Sequence, residues 1–596
     1  MVYTAYASIR IPLPVVTGSG WRRSAAHLGR ALSPRGALAL HSVDGAFSFA
    51  LRAALAMALP ALPMALAGRA DQAVYAMLGS FTTTFGRNLP YARRARVLAL
   101  VAVAMSAGVG CGSALAAWAH PRDGGAGAAV VVAAMAVVAG AAKLACDAAR
   151  LSGLGAVLLL FSFAVAANGS PVPADILPRT ALAASGAAVA WVLAVSGWFV
   201  HPDRPQRLAV TAALREVAEL LEATGAGNGH GLARHRATAA VLQAYRTLGV
   251  LPPTAAEPGD RGGTCVYLTD LAWSLLIGSA RRPPDAPAGL ARHLRRQARL
   301  LVSRRLRDPR LLPELSPPSV AARTGVVPGA GPEPDRTGPA TRRAAEVRAA
   351  ELVTGRLHGS RGHPSVLLVP ALRMTLGTAL AGWTALLLGL GHGYWAAISA
   401  AAVLHSVNVR TAAQRAVQRT LGTMAGLVPA LGVLAVHPDP LVLVLVIVLL
   451  EFLLEYVVAR NYGLGVVFLT PLALLLTDLA APSPAGTLVL DRALGSVVGI
   501  VIALGCALVV VHDRAAVRAE RALAACTEAA EHAEHALDHG LEPSFPVVQT
   551  HLAAAVVELR EADDAAAGEL WPAEIDPAEL AAAEQRAHLL LERFAR

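Results

Sequence analysis

Two carboxylates interrupt an otherwise unbroken apolar run, LVLVLVIVLLEFLLEYVV, at 441–458. Glu451 and Glu455 are four residues apart and so share one face of a helix. Counted back from Arg460, they lie roughly 7–14 Å inside the run at about 1.5 Å of rise per residue. A charge in hydrocarbon costs about 2.5–3.5 kcal/mol even on a lenient insertion scale. Glu451 must therefore face a cavity or a partner. Two carboxyl groups this close can share a proton, which suits proton coupling. The plainer alternative is a structural ion pair, with Glu455 serving an arginine such as Arg373.

Arg52 and Arg373 each stand about two turns inside an apolar segment. A guanidinium there can attract an anion at the mouth of a pathway, because it pairs with a carboxylate through two parallel hydrogen bonds. It can equally snorkel its charge to the headgroups. Thr82, Thr83 and Thr84 cluster in a short apolar stretch, where hydroxyls either line a polar path or bond back to their own helix. Gly422 and Gly426 form a small face at four-residue spacing that lets helices approach closely, a packing device.

Enzyme signatures are absent from the sequence. No GxxxxGK[S/T] occurs, and Lys143 is the only lysine, so no phosphate-binding loop of that kind exists. The 18 histidines form no HExxH, and the five cysteines show no CxxC or metal spacing. His392, His405 and His437 fall at the ends of apolar segments, an ordinary interfacial placement. The expectation is a protein that is not an enzyme and holds no cofactor and no metal.

The elements that carry these residues follow from composition. The 596 residues are 55% hydrophobic and 16% charged, with mean hydropathy +0.50, whereas soluble domains carry about 25% charged residues. The apolar residues gather in runs of roughly 15–25, the length that spans a bilayer. The net charge of +11 reads as basic membrane-flanking loops rather than as a nucleic-acid surface. Six apolar segments lie near 46–66, 72–86, 97–118, 127–147, 151–168 and 180–200, and six more near 366–389, 393–406, 420–436, 440–458, 462–478 and 490–511. Basic residues concentrate before 45, at 87–96, at 143–150, after His201 and at 410–419, while the alternate connections are short and nearly neutral. That asymmetry puts both termini of a multi-pass membrane protein on the cytoplasmic side.

The two sets of six read as copies. GLGAVLLLFSFAV (153–165) matches GLGVVFLTPLALL (463–475), Arg179 opens the sixth segment as Arg492 opens the twelfth, and Arg52 corresponds to Arg373. The copies are separated by roughly 310 residues. An even number of spans per copy makes the repeats parallel. In the first copy the counterpart of the glutamate-bearing segment carries Lys143 and Asp147, a pair able to neutralise itself.

The expected fold is an all-α membrane protein of two parallel repeats of six transmembrane helices, each followed by a cytoplasmic helical domain. Its parts are a cytoplasmic N-terminal segment (1–44), the first repeat (45–200), a cytoplasmic helical domain (201–365) with a Pro/Gly-rich linker (313–339), the second repeat (366–511) and a C-terminal helical domain (512–596). TCVYLTDLAWSLLIG (264–278) is short and bounded by charges, which predicts a buried core helix. After 512, helices are predicted over 513–538 and 546–567, with no third amphipathic helix.

The second repeat resembles the fusaric acid resistance-like (FUSC) family of bacterial integral membrane transporters. The resemblance is carried by Arg373, Tyr394-Trp395, Arg415, Arg419, Gly422-Thr423 and Gly426 within 373–434, and by Arg460, Asn461, Tyr462, Thr470 and Pro471 within 459–475. It covers 46–200 only in outline: Tyr75 stands near the Trp395 position, and Leu151-Ser152-Gly153 replaces the Arg-Asn-Tyr run. The family includes exporters of aromatic carboxylic acids and resembles plant malate channels in plan. The resemblance thus implies efflux of an organic anion or amphipathic aromatic compound, driven by protons. It also implies a pathway lined by Trp395, Asn461, Tyr462 and Thr470, with the lipid bilayer, a small organic substrate and a homodimeric copy as partners. A passive anion channel and a non-transporting scaffold that recruits partners through its helical domains are the alternatives.

Overall fold

A computed structural model of the chain describes residues 45–87, 89–149, 151, 155–169, 171–226, 230–250, 263–278, 286–303, 310–324, 365–406, 408–509, 514–540, 545–567 and 576–594. The N-terminal segment 1–44, Ser152-Gly153 and the linker residues 325–339 lie outside them. Among the described residues all regular structure is helical.

The chain opens with α1 (Ala46–Leu66), α2 (Ala70–Ser80) with a 3-10 turn over Phe81–Thr84, α3 (Tyr91–Ala119), α4 (Gly125–Ala148), α5 (Gly155–Ala167) and α6 (Ile176–Val200). Next come α7 (Arg204–Ala226), α8 (His230–Leu248), α9 (Gly263–Gly278), α10 (Pro287–Val302) and α11 (Pro317–Thr324). A second apolar series follows: α12 (Ser365–Leu387), α13 (Tyr394–Leu404), α14 (Val409–Val436), α15 (Pro440–Val457), α16 (Tyr462–Ala480) and α17 (Ala485–Val509). The last helices are α18 (Arg514–Asp538), α19 (Phe545–Ala567) and α20 (Pro577–Arg593).

Two compact units result, one holding the two apolar series and the other holding α7–α11 with α18–α20. The apolar unit turns Leu59, Leu100, Val137, Val428, Leu449 and Val501 outward, as a surface solvated by hydrocarbon requires. The protein is a multi-pass membrane protein. Among the described residues eight helices are long and apolar enough to cross a membrane: α1, α3, α4, α6 with its leading turn, α14, α15, α16 and α17. The sequence predicts twelve. The difference lies largely in α2, α5 and α13, which at 11, 13 and 11 residues reach only about 16–20 Å at 1.5 Å per residue. Every residue of α13 is buried. A run of apolar residues looks the same in sequence whether lipid or protein surrounds it, so hydropathy counts these short segments as spans.

The two apolar series share local devices. α3 and α14 both end on a histidine in the left-handed region, His120 (φ 45°) and His437 (φ 48°), and each is followed by proline. Each ring places Nδ1 on the carbonyl two residues back, at 3.2 and 3.1 Å. α1 and α12 both run out to a left-handed glycine, Gly68 and Gly389. Packing is reciprocal: α1 lies along α15, and α12 lies along α4. Glycines allow the closest approaches. A Cβ on Gly186 of α6 would fall 1.9 Å from the Ala76 carbonyl oxygen of α2, and one on Gly499 of α17 would fall 2.3 Å from that of Ala396 on α13.

The polar unit corrects the domain plan. The segments 201–365 and 512–596 were each expected to form a separate bundle, yet their helices bury one shared core. Val210, Leu214, Leu268 and Leu294 pack in the same cluster as Cys526, Leu552 and Leu559. α9 is buried within this core, as its length and flanking charges predict. α20 is the third C-terminal helix that the sequence reading does not anticipate. It is capped by the Asp576 carboxylate accepting from the Ala578 N–H at 2.9 Å, and Arg586 binds Glu534 of α18. Within the expected linker, 313–315 form a 3-10 turn and 317–324 form α11.

Burial holds His235 and His551 below the ordinary imidazole range. The unfolded chain therefore takes up protons first as the pH drops, so the stability these neutral rings allow is present above about pH 6.5 and is lost below it. The thermal transition of the purified protein should fall between pH 7 and pH 5.5, and fall less in His551→Gln. Overpacking costs about 1–3 kcal/mol, so Gly186→Ala and Gly499→Ala should each lower the thermal transition. Gly505→Ala, where a Cβ meets nothing within 4 Å, should leave it unchanged.

Candidate functional site

The carboxylate pair lies on the inner face of α15. Glu451 is 1% exposed and Glu455 6%, and Glu451 Oε2 has no hydrogen-bond partner. Among the described residues neither carboxylate has a cation within ion-pair distance. Arg373, the arginine considered for Glu455, donates from Nη2 to the Ser406 carbonyl oxygen at 2.9 Å. The cation whose charge acts on Glu455 is Arg87, whose guanidinium rests 4.4 Å from the Phe49 ring centroid. On α4, Lys143 and Asp147 are likewise four residues apart and are joined at 2.8 Å. The α4 pair thus neutralises itself, whereas α15 leaves two acids facing inward.

Arg52 is half-buried on α1, close enough to Arg87 and Arg94 for the charges to act on one another. Arg94 itself caps the turn before α3, donating to the carbonyl oxygens of Gly86 (3.1 Å) and Arg87 (2.6 Å). The hydroxyls of Thr82, Thr83 and Thr84 donate to the carbonyls three residues back, at 2.8, 3.1 and 2.8 Å, which is the back-bonded arrangement. Asn461 serves as the N-cap of α16, its Oδ1 accepting from the Leu464 N–H at 3.2 Å. Gly422 and Gly426 are buried against α16, where a Cβ would meet the carbonyl oxygens of Gly463 and Val467 at 2.6 Å each. Thr470 is fully buried beside Gly426, and its hydroxyl has no hydrogen-bond partner.

A second cluster gathers around Trp395, which is completely buried at the start of α13. The Arg492 guanidinium of α17 lies 4.2 Å from its ring centroid. One turn further along α13, Ser399 Oγ accepts from Arg419 Nη2 at 3.3 Å, while Arg419 Nη1 donates to the Tyr462 hydroxyl at 3.2 Å. In the first half Arg179 sits over Tyr75 at 4.7 Å. Arg179 with Tyr75 and Arg492 with Trp395 thus make the same kind of contact, a guanidinium over an aromatic ring. Sequence reading used Arg419 and Arg492 as landmarks and missed them as an interior pair. The available signal was their depth: Arg419 lies ten residues inside α14 and Arg492 seven inside α17.

This cluster falls in the part of the chain that known proteins share. Residues 380–506 match the family model described as fusaric acid resistance protein-like. Over 141 residues the chain is also 36% identical to a Bacillus subtilis (strain 168) protein named Uncharacterized membrane protein YvaC. That alignment spans 23% of this chain and 22% of the relative. No solved structure matches. The fusaric acid resistance protein-like segment contains Trp395, Arg419, Glu451, Glu455, Thr470 and Arg492, so both clusters belong to it.

Writing the α4 arrangement onto α15 tests the contrast between halves. Glu451→Lys should pair with Glu455 as Lys143 pairs with Asp147, and raise the thermal transition. Lys143→Glu should lower stability by about 1–3 kcal/mol, less than the loss of a fully buried pair, because the Asp147 side chain is 25% exposed.

Proposed function

We propose that the protein is a secondary exporter in a bacterial inner membrane, moving organic anions or amphipathic aromatic compounds outward at the expense of the proton gradient. The observation that carries this reading is the pair Glu451 and Glu455, buried on one helix face with no ion-pair partner among the described residues. An ionised acid inside a membrane unit is costly unless it pairs or neutralises. Acids that lack a fixed cation are the groups able to take up a proton on one side and release it on the other. The match of 380–506 to a family described by resistance to fusaric acid supports efflux as the direction.

In this reading the two apolar series are parallel six-helix repeats with cytoplasmic termini. The reciprocal packing of α1 on α15 and α12 on α4, the twin histidine caps and the twin arginine–aromatic contacts support the duplication. The short helices α2, α5 and α13 line the interior rather than face lipid.

Expression in cells loaded with a labelled aromatic acid should lower the retained label, and both Glu451→Gln and an uncoupler should abolish the effect. Equal retention in wild type and Glu451→Gln would remove the coupling claim. A large current in liposomes, indifferent to the pH gradient, would favour a passive channel.

A further inference from the structure

Arg419 and Arg492 are each 1% exposed, and guanidinium stays charged in a protein interior. Two full positive charges therefore sit where α13, α14 and α17 meet, close enough to act on one another. Neither has a carboxylate within ion-pair distance among the described residues. The acid next in sequence, Asp491, is taken: its Oδ2 accepts from the His392 N–H at 3.0 Å and lies 2.8 Å from His392 Nδ1.

The surrounding polar atoms are equally unsatisfied. Arg492 Nε and Nη1, Arg419 Nε and Trp395 Nε1 are buried donors without acceptors. The hydroxyls of Thr423 and Ser496, one turn beyond Arg419 and Arg492 respectively, also lack partners. An interior with this excess of donors and positive charge lacks an anion that only accepts hydrogen bonds. A carboxylate meets that description, and arginine binds it through parallel N–H donors.

The like contact in the first half has an acid beside it, although Arg179 Nη1 is there also a buried donor without a hydrogen-bond partner. Arg179 over Tyr75 has Asp175 at 3.5 Å. At the same distance before the His120 cap as Arg419 stands before His437, α3 has Ala102. The second arginine is missing there and the first is already neutralised.

We propose that Arg419 and Arg492, beside Trp395, form a binding site for the carboxylate of an organic anion, and that the chain carries one such site, in its second half only. The site's role as the substrate site rests on the export reading; its existence does not.

Isothermal titration of the detergent-purified full chain with sodium benzoate and with sodium succinate, against sodium chloride, tests this. One equivalent of carboxylate should bind per chain, weakened tenfold or more by Arg492→Gln and by Arg419→Gln, and changed less than twofold by Arg179→Gln. Preference for succinate would mean that both guanidiniums each take a carboxylate; preference for benzoate would mean that they share one. Two equivalents, equal weakening by Arg179→Gln, or chloride binding as tightly as either carboxylate would overturn the site. Should the arginine variants fail to fold, Thr423→Val and Ser496→Ala remove only hydroxyls and should weaken binding threefold or more; unchanged binding would overturn the proposal. Wild-type export by Arg419→Gln and Arg492→Gln would sink the site's role in transport and spare the exporter. Intact binding without export by the wild type would do the reverse.

Discussion

Hydrocarbon offers a polar group nothing, so every charge inside the apolar unit must be answered by the protein, by a ligand or by a proton. The two halves of this chain answer differently at equivalent places. In the first half Lys143 holds Asp147 and Asp175 holds Arg179. In the second, Glu451 and Glu455 share one buried helix face and Arg492 lies over an indole, with no carboxylate within ion-pair distance of it among the described residues. A folding unit under selection for stability alone would gain by closing these pairs, since an unpaired buried charge costs several kcal/mol.

How far the sequence shows this depends on what each signal measures. Hydropathy measures composition along a run, and it locates α1, α3, α4, α6 and α14–α17 because those helices meet lipid along one side. It is blind to direction, so α2, α5 and α13 read as spans although protein encloses them. Position within a repeat carries more: the correspondence of Arg179 with Arg492 and of Tyr75 with Trp395 is visible without coordinates, and in three dimensions it is a shared contact. Local capping chemistry was legible and passed over. Asn461 stands directly before an apolar helical run, the ordinary position of an N-cap, and it caps α16. The Arg419–Arg492 pairing could not be read, because it depends on which faces of α14 and α17 turn toward α13. The single core of the polar unit escaped for the same reason: two amphipathic segments separated by a whole membrane series carry no sequence mark of their pairing.

The first apolar series also reaches the Trp395 cluster. Phe161 of α5 stacks on Trp395, with ring centroids 6.2 Å apart and an interplanar angle of 27°, and Phe81 meets Phe161 edge-on at 6.1 Å. The indole is thus held by an aromatic row from the first half and by a guanidinium from the second. A movement of α5 against α13 would shift the ring on which Arg492 rests, and with it the charge offered to an anion.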